Sequence, residues 1–283
     1  MNMFFWSKER TFPPIQGKIE IFARHCLYSE VSQKKERLAG FSREKCFENF
    51  LSTLDRTKAN VTFLLDIAKG EKESHFLHRY PQENLVCFEG GTESLAFLRL
   101  LDHIASLKLH PDTAIYIVED DYLHKPGWID VLLEGFSLPA DYLTLYDHRD
   151  KYCSPIYSKL TSRLFISPRS HWRTTPSTTN TFAVRFGTLL LDLPVHRHFS
   201  RNRSISADHA KFCFLTRRGR LLISPIPGWS THCEPEYASP CVDWEEMGMT
   251  ATSQQRLSPD REETFPSLGK PPSPPKQIDK TTK

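Results

Sequence analysis

The sequence predicts an α/β fold in which helices cover both faces of a mostly parallel β-sheet. Its strands are continuous apolar runs, which is typical of strands buried on both faces. Strands and helices also alternate along the first half of the chain, as they do in consecutive strand–helix–strand units. The length of 283 residues and the hydrophobic content of 39% suit one large domain of this class.

The first two predicted strands enclose a helix. The first strand is "KIEIFA", residues 18–23, and the helix lies in "FSREKCFENFLSTLDRT". Ser42 can cap that helix, because apolar residues recur behind it at helical spacing. The next strand, "NVTFLLD", ends at Asp66.

Two further strands follow. "NLVCFEGG" is predicted to turn at Gly90 and Gly91 into a helix that Thr92 can cap. Gly90-Gly91 is not a dinucleotide fingerprint, since "EGGTES" lacks the G-x-G-x-x-G spacing. The fourth strand is "TAIYIVEDD", which ends in three acids.

The second half of the chain is predicted to be less regular. Pro126 suits the first turn of a short helix, "PGWIDVLLEGF", and "DYLTLYD" is typical of a strand. Residues 162–191 are predicted to form a β-rich insertion. The helix in "SADHAKFCFLTRRG" is expected to begin at a Ser206 cap and to stop at Gly219, before a strand in "RLLIS".

Composition bounds the domains and the partners. We expect an N-terminal extension (1–16), one domain (17–249) and a disordered tail (250–283) rich in Pro, Ser and Lys. The formal net charge of +3 gives no indication of a nucleic-acid partner. Seven cysteines without C-x-x-C spacing predict reduced thiols in a cytoplasmic protein. No apolar stretch is long enough for a transmembrane segment, although aromatic residues 4–6 allow peripheral membrane contact.

Three consecutive acids, Glu119, Asp120 and Asp121, are the main functional signal. In parallel sheets ligands bind at the carboxyl ends of the strands, where Asp66 and the Gly90-Gly91 turn also fall. A cation would neutralise the three acids, but a solvated acidic turn is the alternative. Oxygen ligands with one imidazole suit Mn²⁺, which makes His232 in "STHCE" a candidate ligand or merely a solvated side chain.

Two other groups have structural and functional interpretations. Asp208 begins a predicted helix, where the helix dipole favours a carboxylate even without catalysis. Arg169, His171 and Arg173 could hold a phosphate or a sugar acceptor, or could be exposed in a solvated turn.

Taken in order, "VEDDYLH", "SADHAKF" and "PGWSTHCE" resemble the motifs of GT-A-fold glycosyltransferases of the family 2-like kind, within the nucleotide-diphospho-sugar transferase superfamily. The resemblance covers residues 18–244. The first acid, Glu119, departs from the D-x-D pattern of that family, so the carboxylates that touch the metal remain open.

The resemblance implies a Rossmann-like GT-A sheet and a sugar transfer from a nucleotide-diphosphate sugar, a UDP-sugar being the expected donor, to a glycan or other hydroxyl acceptor. It implies Mn²⁺ or Mg²⁺ on Asp121, with Glu119 or Asp120 assisting and His232 completing the shell. Asp208 would be the general base of an inverting transfer. The expected donor-binding residues are Arg24, in an "ARHC" loop, with Asp66, Gly90, Gly91 and Asp120.

Three other classes compete with this interpretation. A nucleotidyltransferase would share the fold and the metal, but it should carry a glycine-rich loop after the first strand. A metal-dependent phosphoesterase should show more His and Asp ligands at short spacing. A non-catalytic nucleotide-sugar-binding protein could keep the fold without the chemistry.

Overall fold

The computed structural model describes residues 11–27, 29–68, 74–80 and 84–248. Within them, helices flank a nine-stranded, mostly parallel central sheet. The predicted fold class, a mostly parallel α/β sheet covered by helices, is confirmed. The aromatic residues 4–6 and the predicted tail from residue 250 lie outside the described residues, and the domain boundaries stay a prediction.

The strands are short apart from the first two. Their bounds are β1 Ile19–Cys26, β2 Ala59–Asp66, β3 Leu85–Phe88, β4 Ala114–Glu119, β5 Tyr122–His124, β6 Tyr142–Leu143, β7 Leu164–Ile166, β8 His171–Thr174, β9 Phe182–Arg185, β10 Leu222–Ile226 and β11 Ser230–His232.

The α-helices are α1 Glu30–Gln33, α2 Arg43–Thr53, α3 Glu93–Ser106, α4 Trp128–Phe136, α5 Asp150–Cys153, α6 Phe186–Ser200 and α7 Asp208–Arg217. Two 3₁₀ turns lie at Phe76–Arg79 and Pro155–Tyr157.

The sheet order is β3-β2-β1-β4-β9-β6-β10-β8-β7. β3, β2, β1 and β4 are parallel to one another, and β9 runs antiparallel between β4 and β6. In register, Cys26 on β1 pairs with Asp66 on β2, and Arg24 pairs with Glu119 on β4. The polar ends of three strands therefore meet at one edge of the sheet.

The two faces of the sheet carry separate apolar cores. Successive residues of a strand point to opposite faces, so Ile21 packs on one side and Phe22 on the other. The first core includes Phe47 of α2 and Trp128 of α4. The second includes Phe97 of α3, together with residues of α6 and α7. Helices on both faces thus fix the edge that carries the acids.

Two predicted helix caps are confirmed. Ser42 Oγ accepts a hydrogen bond from Lys45 N at 3.1 Å, and Thr92 Oγ1 accepts one from Leu95 N at 3.2 Å. Gly219 has a φ of +90°, the left-handed conformation that ends a helix, and it follows α7 as predicted.

The predicted Ser206 cap is wrong. Ala207 occupies the N-cap position of α7 and makes no side-chain capping bond. Ser206 instead donates its backbone N–H to Glu93 Oε2 at 2.7 Å, and its hydroxyl lies 3.3 Å from that of Ser94. Ser206 therefore ties the segment before α7 to the start of α3.

Two other boundaries differ from the predictions. Residues 162–191 do contain β7, β8 and β9, but α6 already begins at Phe186 and was not predicted. Pro194 inside this helix interrupts the usual helical pattern, which hides it in the sequence. Pro126 precedes the first turn of α4, which begins at Trp128 after Gly127 (φ +83°).

Candidate active site

Asp121 lies in the turn between β4 and β5 and contacts two cations. β11 pairs with β5 so that His232 stands opposite Tyr122, which places His232 Nε2 3.0 Å from Asp121 Oδ2. Arg37 Nη1 donates to the same oxygen at 3.0 Å. The structure thus brings together Asp121 and His232, as predicted, and adds Arg37.

The charges around Asp121 and His232 shift the pKa values of both side chains. Burial opposes ionisation of Asp121, but His232 and Arg37 outweigh it and hold the pKa of the carboxyl below its usual range. Burial likewise opposes protonation of His232, but Asp121 and Glu234 raise the pKa of the imidazole above its usual value. Glu234 Oε1 lies 3.4 Å from His232 Nδ1 and also pairs with Lys35. The imidazole is therefore held between two carboxylates.

Glu119 points to a different partner. Its carboxylate pairs with Arg24 and receives a long contact of 3.5 Å from the Thr181 hydroxyl. Burial raises the pKa of Glu119 to about 7. Nearby acids, including Asp121 and Asp208, reinforce the rise, and Arg24 opposes it. Glu119, predicted as a metal ligand, is thus directed toward Arg24.

Arg24 lies in β1, so the predicted "ARHC" loop is wrong: residues 24–26 are the end of the strand. The Arg24 side chain is 7% exposed, and its guanidinium bridges Glu119 and Glu93, whose Oε1 lies 2.9 Å from Arg24 Nη2. A buried cation needs such partners, because an unpaired buried charge is costly. Arg24 therefore connects the acids of β4 to the start of α3.

Asp120 is held by the first strand and α2. Cys26 N donates to Asp120 Oδ2 at 3.3 Å, and Arg43 Nε lies 3.3 Å from Oδ1. Burial raises the pKa of Asp120 in spite of the opposing charge of Arg43. These contacts fix the position of the Asp120 side chain, and its contact with a donor stays a prediction.

Asp66 and the glycine turn stabilise each other. Asp66 accepts backbone hydrogen bonds from Ala68 (3.0 Å), Gly90 (2.9 Å) and Gly91 (2.8 Å). A Cβ on Gly90 would lie 2.7 Å from Asp66 Oδ2 and 2.9 Å from Ala96 N. Both carboxylate oxygens of Asp66 are thus used to fold the turn, and a nucleoside contact by Asp66, Gly90 or Gly91 stays a prediction.

Asp208 is the first residue of α7 and pairs with a buried lysine. Lys211 Nζ donates to Asp208 Oδ1 at 3.2 Å and to the side-chain oxygen of Asn180. Burial raises the pKa of Asp208, while Lys211 opposes the rise. Asn180 in turn donates to Glu93 Oε1 at 2.9 Å.

A continuous chain of polar contacts therefore joins the acids of β4 to Asp208. It runs through Glu119, Arg24, Glu93, Asn180, Lys211 and Asp208. The structure gathers the predicted residues at one sheet edge, but within its described residues no three His, Cys, Asp or Glu side chains form a group that could hold a metal ion.

The three cations considered from the sequence as an acceptor site do not form a cluster. Arg169 pairs with Glu134 of α4 at 2.5 Å, and the buried Arg173 pairs with Asp147 at 2.7 Å. His171 is exposed at the start of β8. These pairings leave the segment without a shared binding face.

Five residues of the site, among them three basic residues, one amide and one acid, were not predicted from the sequence. These are Arg37, Arg43, Lys211, Asn180 and Glu93. Only Lys211 carried a signal, because it lies three residues after Asp208 on one helical face. The others reach the site through contacts that are distant in sequence.

No family model matches this chain, and no curated protein matches it. Solved structures that resemble it include TarS residues 1–349 from S. aureus (12% identity, 77% of this chain and 59% of that one, TM-score 0.41). A nucleotidyl transferase from Methanothermobacter matches with 13% identity over 72% of this chain and 85% of that one, at a TM-score of 0.41. The glycosyltransferase GlyE of Streptococcus pneumoniae matches with 10% identity over 73% of this chain and 45% of that one, at a TM-score of 0.40.

At such TM-scores these likenesses carry no assignment of activity. In the described part of the chain, no helix is both long and apolar enough to cross a membrane.

Proposed function

We propose that this protein is a metal-dependent glycosyltransferase that moves a sugar from a nucleotide-diphosphate donor to a hydroxyl acceptor. One observation carries the proposal: Asp121 and His232, 111 residues apart in sequence, meet at 3.0 Å beside the carboxyl end of β4. This edge is where open α/β sheets bind their ligands.

The donor set fits a metal to which the protein gives two ligands. A carboxylate oxygen of Asp121 suits Mn²⁺ or Mg²⁺, and an imidazole nitrogen of His232 would add a ligand for Mn²⁺ once the ring has lost the proton that its raised pKa favours. When bound, such a cation neutralises the negative charge of a departing diphosphate. Arg37 contacts the same Asp121 oxygen, so it competes with a cation for that atom.

Asp208 is suited to accept a proton. Burial raises the pKa of its carboxyl, which strengthens it as a base toward an acceptor hydroxyl. Lys211, whose side chain is buried, fixes one carboxylate oxygen of Asp208, and the Asp208 side chain keeps 24% of its surface exposed. A carboxylate that is held in place yet reachable is what an inverting transfer requires.

The alternative class is a nucleotidyltransferase that forms sugar nucleotides. One observation favours it: Arg37 and Arg43, both after β1, contact the acids of the β4–β5 turn. The two classes differ in product, because a nucleotidyltransferase releases pyrophosphate from a nucleoside triphosphate and a glycosyltransferase releases a nucleoside diphosphate from a sugar nucleotide.

The donor site is tested with Asp121→Ala, by titrating sugar nucleotides calorimetrically with and without Mn²⁺. We expect Mn²⁺ to tighten donor binding to the native protein by about tenfold or more, and the variant to lose this gain. Asp55→Ala is the matched control, because Asp55 is an acid in the loop between α2 and β2, paired with Lys58. Metal-dependent affinity that survives Asp121→Ala would refute the assignment.

The base is tested with Asp208→Asn. Transfer should fall roughly 10²–10⁴-fold, because an amide cannot accept the proton. Donor and metal affinity should persist, since Asp208 belongs to the acceptor side. Full activity in this variant would show that Asp208 only starts a helix, and would move the base role to Glu234 or Asp243.

A further inference from the structure

A basic cleft lies at the C-terminal end of α6. Its volume is about 590 Å³, and it is lined by Pro194, Arg197, His198, Arg201, Asn202 and Arg203. The lining contains three arginines and a histidine but no carboxylate. A concave surface of one charge sign concentrates its field and attracts the opposite charge.

Carboxylates in the described part of the chain neutralise only one of the three arginines of this cleft. Arg197 pairs with Asp102 of α3 at 2.7 Å. Arg201 and Arg203 are exposed, and in the described part of the chain neither has a carboxylate partner. Two guanidinium groups are therefore available to an anion from solution.

The loop that lines part of the cleft leads along the chain to Asp208, and its later residues are held against α3. The segment between α6 and α7 is bound to the start of α3: Ser94 N donates to Ser204 O at 3.2 Å, and Ser206 N donates to Glu93 Oε2 at 2.7 Å. Asp208 begins α7 two residues after Ser206. The loop that supplies Arg201 and Arg203 therefore continues directly into the proposed base.

We propose that this cleft binds the phosphate group of a phosphate-bearing acceptor whose hydroxyl is presented to Asp208. This inference rests on the proposed function and names its acceptor class. Arginine is suited to the task, because its planar guanidinium can donate two parallel hydrogen bonds to one phosphate.

The test uses calorimetric titration of the full chain with glycerol 3-phosphate, which carries both a phosphate and hydroxyl groups. EDTA is present and the donor is absent, so that the metal site does not contribute. Glycerol serves as the uncharged ligand. The variant is Arg201→Gln/Arg203→Gln, and the matched control is Arg217→Gln/Arg218→Gln, which removes the same charge at the exposed end of α7.

We expect the native protein to bind glycerol 3-phosphate but not glycerol. The cleft variant should bind at least about tenfold more weakly, since it loses charge-assisted hydrogen bonds, and the control should stay within about threefold. An equal loss of affinity in both variants would show that binding depends on the overall positive charge of the protein, and would refute the proposed phosphate site. Absence of binding to the native protein would also overturn it.

A second arm identifies where the phosphate resides. Sedimentation with phosphatidylglycerol vesicles but not phosphatidylcholine vesicles, abolished in the cleft variant, would assign the phosphate to a lipid headgroup. Absence of sedimentation, with glycerol 3-phosphate still bound, would assign it to a soluble acceptor. Sugar-nucleotide affinity in the presence of Mn²⁺ is measured separately, so failure of the donor site is distinguishable from failure of the cleft.

Discussion

Replacing Lys211 with Met should both destabilise the fold and disturb the proposed base. The lysine side chain is 0% exposed, and its ammonium lies 3.2 Å from Asp208 Oδ1 and 4.6 Å from the ring centre of Phe97. Methionine conserves most of the volume, so the packing loss is small. What is lost is the cation between Asp208 and Asn180.

The size of the loss in stability depends on the charged and polar groups that the substitution leaves without a partner. Breaking a buried ion pair costs about 3–5 kcal/mol when a charge stays buried and unpaired. Asp208 is 24% exposed, so water can solvate part of its charge, which favours the lower end. Asn180 is fully buried and loses a partner for its side-chain oxygen. We expect Lys211→Met to lower the free energy of unfolding by about 3 kcal/mol.

The assay is urea unfolding at pH 7, followed by tryptophan fluorescence, for Lys211→Met, Asp208→Asn and the double variant. Because the two side chains touch, their effects should be non-additive by about 1 kcal/mol or more. Transfer activity of Lys211→Met should fall while donor affinity stays unchanged. A loss below about 0.5 kcal/mol combined with additive effects would refute the ion-pair argument.

Two further predictions concern stability. Gly90→Ala should destabilise more than Gly91→Ala, because a Cβ at Gly90 meets Asp66 and the backbone of Ala96. At Gly91 a Cβ makes only an ordinary van der Waals contact with Ala68 Cβ at 3.6 Å, so the cost is the roughly 1–2 kcal/mol of its φ of +81°. Thermal unfolding of both variants checks this, and the reverse order would contradict it. Burial lowers the pKa of His124 from 6.5 to about 3, so the unfolded chain binds the extra proton and stability falls as the pH drops below 6.5. Between pH 6.5 and about pH 5 the loss in unfolding free energy amounts to about 2 kcal/mol. His124→Phe should therefore flatten the measured slope of unfolding free energy against pH. An unaltered slope would show that His124 does not contribute.

The confirmed predictions depend on short stretches of neighbouring residues. The caps at Ser42 and Thr92 need only a few neighbouring residues, and a buried parallel strand is recognisable from its own apolar run. Helix α6 escaped prediction, because Pro194 breaks its pattern. Ser206 looked like a cap for the same local reason, but its backbone N–H is used by Glu93 across 113 positions of sequence.

The site itself was only partly predictable. The resemblance in motif order pointed to Asp121 and His232, and strand pairing does bring them into contact. Arg37 and Arg43 gave no signal, because an arginine acquires its partner only when the segment after β1 folds over the acids. The opposite direction of Glu119 was also invisible, since it depends on the register of β1 with β4.

The pairing of β11 with β5 also has a consequence for the order in which the protein matures during synthesis. All nine strands of the central sheet have left the ribosome once Ile226 has emerged, yet His232 is still to come. Domains can fold while the chain is being made, at about 5–20 residues per second. A nascent chain can thus contain all strands of the central sheet before His232, the partner of Asp121, has been synthesised. The contact between Asp121 and His232 can therefore form only after the strands of the central sheet have been synthesised.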